Sequence, residues 1–462
     1  MSIRPHKGDR HAYLTETPIP RLICTLAVPT MISMLVTGIY NAADTFFVGR
    51  ISTQGTAAVG LVFSVMAIIQ ALGFFCGQGS GNYLSRLLGA GNREKANEIA
   101  VTGFALALLL GLVVAVLGNV FAHPLADLLG ASDTTRADTV AYLRIILLGA
   151  PFMMGQCVIN NQLRFQGSAF YAMIGMMCGA AVNIGLDPLF MFVLLPRGNE
   201  VLGAAIATAL ANVVSLIYFL LYFAQNQDGI FSFAPRLLRH GGRILRDVLS
   251  CGLAGFTMVA MAMLSNCFLN AMIAELGAGT AVAGLGIVRK IDSLAYAVNQ
   301  GITQGMLPLV AYCYASGKRE RMKAIIGFSA ACTVIFSLIC STFSYFLAPE
   351  LVEIFIRDGE TVQYGASFLR VLCLAIPIYS VTFVIIAVFQ AVGKSIEPFV
   401  LSVLHKGSVD ILLLFLFRRL FGLEYILWAT PVMESIALLV ALLLLVELLR
   451  NREKQTIWEV LQ

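Results

Sequence analysis

Gly55-Thr-Ala-Ala-Val-Gly-Leu61 reappears as Gly279-Thr-Ala-Val-Ala-Gly-Leu285, an offset of 224 residues in a chain of 462. The correspondence continues on both sides. Gln78-Gly79 matches Gln304-Gly305, Gly91, Arg93 and Glu94 match Gly317, Arg319 and Glu320, Leu143-Arg144 matches Leu369-Arg370, and Pro151 matches Pro377, all at an offset of 226. Phe165-Gln166 then pairs with Phe389-Gln390 and Asp187 with Asp410, at offsets of 224 and 223. Chance would scatter the offsets, so the chain is a duplicated unit whose loops have changed slightly.

Each copy contains six apolar runs of about the ~20 residues that a transmembrane helix needs. They fall near 22–47, 59–87, 97–121, 140–163, 170–195, 202–223, 250–274, 281–307, 323–347, 366–391, 398–420 and 424–449. Composition agrees: 58% of residues are hydrophobic and 12% charged, with a mean hydropathy of +0.84, far from the usage of water-soluble domains. The expectation is an all-α polytopic membrane protein with twelve transmembrane helices. It divides into a tail 1–21, a first lobe 22–223, a linker 224–249, a second lobe 250–449 and a tail 450–462. The first run is too long for a signal peptide's apolar core, so the first helix is read as retained.

An even number of spans per copy makes the two lobes parallel, related by an axis along the membrane normal. Twenty Lys and Arg residues fall on the side of the N-terminal tail, the linker and the C-terminal tail, against six on the other side. The positive-inside rule therefore places both termini in the cytoplasm and the chain in a cell inner (plasma) membrane. With bases spread over loops, nucleic-acid binding has little support. The ten cysteines lie in or beside apolar spans with no Cys-x-x-Cys pair, which argues against a disulfide framework or a zinc site.

Carboxylates inside a bilayer cost ~2.5–3.5 kcal/mol each on insertion scales, so each asks for a partner or a role. Asp44 follows Tyr40 and Asn41 at helical spacing in the first span, and Asp187 follows Asn183 one turn back in the fifth. From the helical rise, Asp44 lies ~33 Å and Asp187 ~26 Å from the cytoplasmic ends of their spans, in the outer half of the membrane. Two carboxylates converging with neutral oxygens would suit Na⁺, a hard cation, or a shared proton. Asn160, Gln156 and Thr208 are further candidates; bridging between helices is the plain alternative for all of them.

In the second copy Asn183 corresponds to Lys406 and Asp187 to Asp410. Lys406 and Asp410, one turn apart, are expected to neutralise each other. Arg289, Lys290 and Asp292 in the eighth span either pair internally or line a path, and Glu434 in the last span has no evident sequence partner. Pro188, directly after Asp187, could bend the helix beside that carboxylate. Gly175 and Gly179 give a GxxxG spacing suited to close helix packing.

Together, Ala43-Asp44-Thr45-Phe-Phe-Val-Gly49 with Ala57-Ala-Val-Gly60, the stretch from Gln78-Gly79 to Gly91 with its copy at 304–317, and the pair Asn183 and Asp187 resemble the multidrug and toxic compound extrusion (MATE) family over essentially the whole chain. The resemblance implies a V-shaped fold of two lobes. It also implies export of bulky, apolar, often cationic drugs in exchange for H⁺ or Na⁺, with no cofactor beyond that ion. In the branch with a cation site in the first lobe, the implied residues match Asp44, Asn183 and Asp187, with Thr208 and Asn160 added. Acidic residues used by other members in spans seven and ten have no counterpart inside those spans here.

Two other readings remain at this stage. A lipid-linked saccharide flippase of the same superfamily would need several bases in its cavity for pyrophosphate, and Arg289, Lys290 and Lys406 are the clear intramembrane ones. An intramembrane enzyme would need a catalytic constellation. The sequence has no His-Glu-x-x-His, no Gly-x-Ser-x-Gly and no phosphate-cradling loop, so neither catalysis nor direct use of ATP is expected.

Overall fold

The computed structural model describes residues 13–14, 16–49, 53–196, 199–225 and 241–460; within its helices the side chains of residues 40–46 and of Lys406, among others, lie outside that description. Among the described residues every regular element is helical. The helices are α1 (Ile19–Gly49), α2 (Thr53–Gly89), α3 (Arg93–Val120), α4 (Ala122–Leu128), α5 (Arg136–Phe165), α6 (Ala169–Leu189), α7 (Glu200–Gln225) and α8 (Gly241–Ala315). They continue as α9 (Arg319–Phe346), α10 (Ala348–Glu353), α11 (Gly359–Leu372), α12 (Ala375–Ala391), α13 (Ile396–Lys406), α14 (Ser408–Phe421) and α15 (Ala429–Val460).

Among the described residues ten helices are long and apolar enough to cross a bilayer, or eleven if α11 and α12, bent by 43°, make one span. The bend has a local cause: Pro377 falls in the first turn of α12, where its missing N–H costs no helical bond. The remaining expected run, 281–307, carries Arg289, Lys290 and Asp292 within four residues. It lies inside α8, whose 75 residues would stretch ~110 Å if straight. Arg289 Nη1 nevertheless reaches Asn270 Oδ1 at 2.9 Å. Residues nineteen apart can meet only if the segment reverses between them, so α8 supplies two arms. Of the expected linker, 226–240 lie outside the described residues and 241–249 are already helical.

The chain clusters into two compact units. One is built chiefly from Cys24–Phe256 with Ala311–Lys318, the other from Thr257–Val310 with Arg319–Gln462. In the first, α5 is the central helix, packed against α2, α3, α6 and α7. It is also among the less apolar spans, because Gln156, Asn160, Asn161, Gln162 and Arg164 are all buried on it. Several of their donors find partners inside: Gln162 Nε2 donates to Ser80 Oγ at 3.0 Å and to the Ala100 carbonyl at 2.9 Å, and Arg164 Nη2 donates to Asn161 Oδ1 at 2.9 Å. In the second unit, α12 is the inner helix, between α9 and α15.

Helix α9 shows which solvent the fold is made for. Ser329, Thr333, Ser337, Ser341 and Ser344 face inward, while Ile335, Leu338, Ile339, Phe343 and Phe346 face outward. A water-soluble helix would do the reverse. Small hydroxyl residues inside and large apolar ones outside suit lipid, where close packing of small side chains drives helix association.

The duplication is visible in the backbone. Helix α2 ends with Gly91 at φ +76 and α8 with Gly317 at φ +73; α5 is followed by Gly167 at φ +80 and α12 by Gly393 at φ +83. Each closes with the same pair of bonds. Gly91 N donates to Leu88 O and Asn92 N to Leu87 O; Gly317 N donates to Tyr314 O and Lys318 N to Cys313 O. These are left-handed glycine caps of the Schellman type, repeated at the sequence offset of 226.

Candidate functional site

Helices α6 and α7 approach closely along one line of small residues. A Cβ added to Gly175 would overlap the Phe219 ring, and one on Gly179 would overlap Ser215 Oγ. In their place Ser215 Oγ donates to the Gly175 carbonyl at 3.1 Å. Two turns beyond Gly175, at the same interface, Asn183 Nδ2 donates to Asp187 Oδ1 at 3.4 Å and to Thr208 Oγ1 at 3.3 Å. Thr208 is joined to Asn212, whose Nδ2 donates to the Thr208 carbonyl at 2.7 Å, and Asn212 Oδ1 accepts from Gln156 Nε2 of α5 at 3.3 Å.

The result is a polar line through the interior of the first unit. Asp187, Asn183 and Thr208 are 0%, 2% and 4% exposed. Beside them is a cavity of ≈ 20 Å³, lined by Gln156, Asn183, Thr208, Asn212 and Ser215 together with Met176 and small apolar neighbours; that is room for one water-sized guest. Asn183 Oδ1 and Gln156 Oε1 are buried and have no hydrogen-bond partner among the described residues. Buried amide oxygens without donors are costly, and they are the neutral ligands that a small hard cation or its water prefers.

Pro188 lies inside the last turn of α6, and the chain then passes into a π-helical turn, Phe190–Leu194. Gly203 of α7 lets the helices close there, since a Cβ would press on the Phe190 carbonyl carbon. A widened turn next to a buried carboxylate marks a place where the backbone can change hydrogen-bond register.

Of the residues singled out in the sequence, Asn183, Asp187 and Thr208 are brought together, and Gln156 joins them through Asn212. Asn160, although buried, donates to the Ala172 carbonyl at 2.9 Å and bridges α5 to α6. The side chains of Asp44 and Tyr40 lie outside the described residues. Asn212 and Ser215 were missed; their spacing of four and seven from Thr208 puts them on the same helix face, and that periodicity was the available signal.

In the second unit the expected pairing of Lys406 with Asp410 falls on a side chain outside the described residues. The helix breaks at Gly407, φ −111 and ψ −118, so the two residues stand on α13 and α14 rather than on one helix face. Gly407 is required there, because a Cβ would overlap the Val403 carbonyl. Asp410 accepts a hydrogen bond from Ser265 Oγ of α8. Arg289 bonds Asn270 as given above, and Asp292 Oδ1 accepts from Tyr379 Oη at 3.5 Å. Glu434 has a neighbour that sequence distance hid: His405 Nδ1 lies 2.7 Å from its Oε2.

Comparison with known proteins fits these features. The MatE family model matches residues 29–189 and 254–416, once in each copy of the repeat. The chain is 29% identical over 447 residues to the multidrug export protein MepA of Staphylococcus aureus (strain MRSA252), covering 96% of this chain and 97% of the relative. It is 28% identical, with the same coverage, to MepA of Staphylococcus haemolyticus. Among solved structures it is similar to an outward-facing multidrug resistance MATE family transporter of the MOP superfamily, with a TM-score of 0.87, 26% identity, and coverage of 95% of this chain and 97% of that one. It is also similar to a MATE protein in complex with MaL6, with a TM-score of 0.90, 25% identity and coverage of 96% and 100%. With a repeat matched in both halves and apolar helices that bury their hydroxyls, the chain belongs to the MatE family of multi-pass membrane transporters, whose members are not enzymes.

Proposed function

We propose that this chain exports bulky, apolar, often cationic drugs across a cell inner membrane in exchange for inward H⁺ or Na⁺. The observation that supports the coupling is the convergence of buried Asn183 and Thr208 on one cavity, with Asn183 also donating to buried Asp187. The drug half of the reading is supported by the relatives named as multidrug export proteins. In this reading both termini are cytoplasmic, residues 22–223 and 250–449 act as two lobes, and the ion gradient rather than ATP is the energy source.

The ion enters the first lobe, where Asp187 supplies charge, Asn183 and Thr208 supply neutral oxygens, and Asp44 of α1 supplies a second carboxylate. Occupancy changes the packing of α6 against α7 at the Pro188 turn. It thereby favours the state that binds drug weakly and faces outward; the empty site favours drug capture from inside. Coupling requires only that ion and drug prefer different states, because linkage is reciprocal.

Ethidium efflux from proteoliposomes, with a Na⁺ gradient and a pH gradient imposed separately, tests this. Gradient-driven efflux that is lost in Asp44→Asn and Asp187→Asn supports the exchanger and identifies its ion. Efflux at the wild-type rate in folded Asp187→Asn rejects the assigned site, and no efflux under either gradient returns the reading to a lipid-linked saccharide carrier.

A further inference from the structure

The repeat preserves an arginine that the exporter reading leaves unused. Arg144 on α5 and Arg370 on α11 stand at the offset of 226, each directly after a buried leucine, Leu143 or Leu369. Both arginines are themselves exposed. Arg144 Nη2 lies 3.5 Å from His123 Nε2 of α4, and Arg370 Nε donates to the Tyr345 carbonyl of α9 at 3.4 Å. These contacts fix the level of each guanidinium. His123 follows shortly after α3 ends at Val120, and Tyr345 is in the last turn of α9, which ends at Phe346. Each arginine is thus held where a membrane span stops, at the depth of lipid headgroups.

The surface that leads from each arginine into the membrane is apolar, and it repeats as well. Along α3 and α9, Leu109 and Ile335 are both 59% exposed, Leu117 and Phe343 are 54% and 55%, and Val120 and Phe346 are 68% and 72%, every pair at the offset of 226. One turn beyond the arginines, Leu148 and Leu374 are exposed in equivalent places. In the first unit α3 and α5 close on each other at this level, since a Cβ on Gly118 would overlap Leu147. Among the described residues neither guanidinium is in an ion pair. The nearby acids differ between the copies. On α4, Asp127 is held by Arg136 at 2.6 Å, whereas α10, packed against α11, carries exposed Glu350 and Glu353.

We propose that Arg144 and Arg370 each seat the phosphate of an anionic phospholipid, whose acyl chains lie along the apolar stripe of α3 or α9. Guanidinium suits this task, because its planar fork donates two parallel N–H bonds to phosphate oxygens and is weakly hydrated. Free phosphate would satisfy the arginine alone. A lipid satisfies the arginine and the stripe together, and the continuity of the two selects it as the occupant. The site at Arg144 is the tighter, since Arg136 neutralises Asp127 while Glu350 and Glu353 repel an anion at Arg370. The inference goes beyond drug export and is independent of the coupling ion; it rests on the placement of the chain in a membrane.

The test titrates phosphatidylglycerol into delipidated full-length protein in detergent, with bound lipid counted by native mass spectrometry. Phosphatidylcholine with the same acyl chains and inorganic phosphate are parallel arms. Wild type is compared with Arg144→Gln, Arg370→Gln, the double variant and Arg357→Gln, which removes an exposed arginine outside the stripes. Wild type is expected to bind phosphatidylglycerol more tightly than phosphatidylcholine. Affinity for phosphatidylglycerol should fall about tenfold in Arg144→Gln, fall less in Arg370→Gln, and stay unchanged in Arg357→Gln. Equal affinity in wild type and the double variant, or an equal loss in Arg357→Gln, overturns the proposal, as does displacement of the lipid by millimolar inorganic phosphate. Should the variants fold poorly, wild type alone decides: equal affinity for the two lipids overturns the proposal.

Discussion

Asn183 Nδ2 lies 3.3 Å from Thr208 Oγ1, across the interface of α6 and α7. The same amide reaches Asp187 on its own helix, so one donor links the carboxylate to the neighbouring element. Replacing Thr208 with Val keeps the volume and removes the oxygen, leaving a buried donor short of a partner at a cost of ~1–3 kcal/mol. Gradient-driven drug efflux should fall by about tenfold in Thr208→Val and stay near wild type in Thr208→Ser, measured as initial rates in proteoliposomes. Equal rates for both would remove Thr208 from the site.

The α6–α7 interface tolerates no added methyl where the cavity begins. Gly179→Ala would drive a Cβ into Ser215 Oγ, with the Ala211 carbonyl 3.2 Å away, and overpacking of this kind costs ~1–3 kcal/mol. Gly185, six residues on, has open space around it. Thermal unfolding in detergent should therefore show a lowered midpoint for Gly179→Ala and an unchanged or raised one for Gly185→Ala.

Gly91 and Gly317 are equivalent caps, at φ +76 and φ +73, and neither has a neighbour within 4 Å of an added Cβ. Alanine at either position meets only backbone strain, ~1 kcal/mol. The two substitutions should lower stability by the same amount, read as equal drops in the thermal midpoint. Unequal effects would show that the duplicated turns have diverged in strain.

Asp358, outside the membrane spans, caps α11 by accepting from the Thr361 N–H at 3.0 Å and from its hydroxyl at 2.7 Å. Those bonds hold its carboxyl below the usual range. A depressed pKa contributes stability above the unfolded value, lost as pH falls through the folded one. The cap's contribution should thus persist at neutral pH, fade below about pH 4, and show no such acid dependence in Asp358→Asn.

Much of this was legible in the sequence because membrane helices announce themselves by length and because the repeat offset survives in the glycine caps. Asn183 and Asp187 were legible as an i, i+4 pair, a relationship internal to one helix. Glu434 was not, since His405 lies 29 residues away and only the packing of α13 on α15 brings the two together. The single helix expected through Lys406 and Asp410 is broken at Gly407, a backbone feature that their spacing did not reveal. Asn160 had the right chemistry for the site, and the sequence did not reveal that its Nδ2 donates to the Ala172 carbonyl. The span at 281–307 was expected as a separate helix, and it is an arm of the folded-back α8.

The measurement that reaches the central claim most directly is ethidium affinity of the purified protein with and without the coupling cation, in wild type and Asp187→Asn. If ion and drug are linked through the Asn183–Asp187–Thr208 site, the cation weakens ethidium binding in wild type by roughly 5- to 150-fold and leaves Asp187→Asn unaffected. A cation effect of the same size in the folded variant would place coupling elsewhere in the chain.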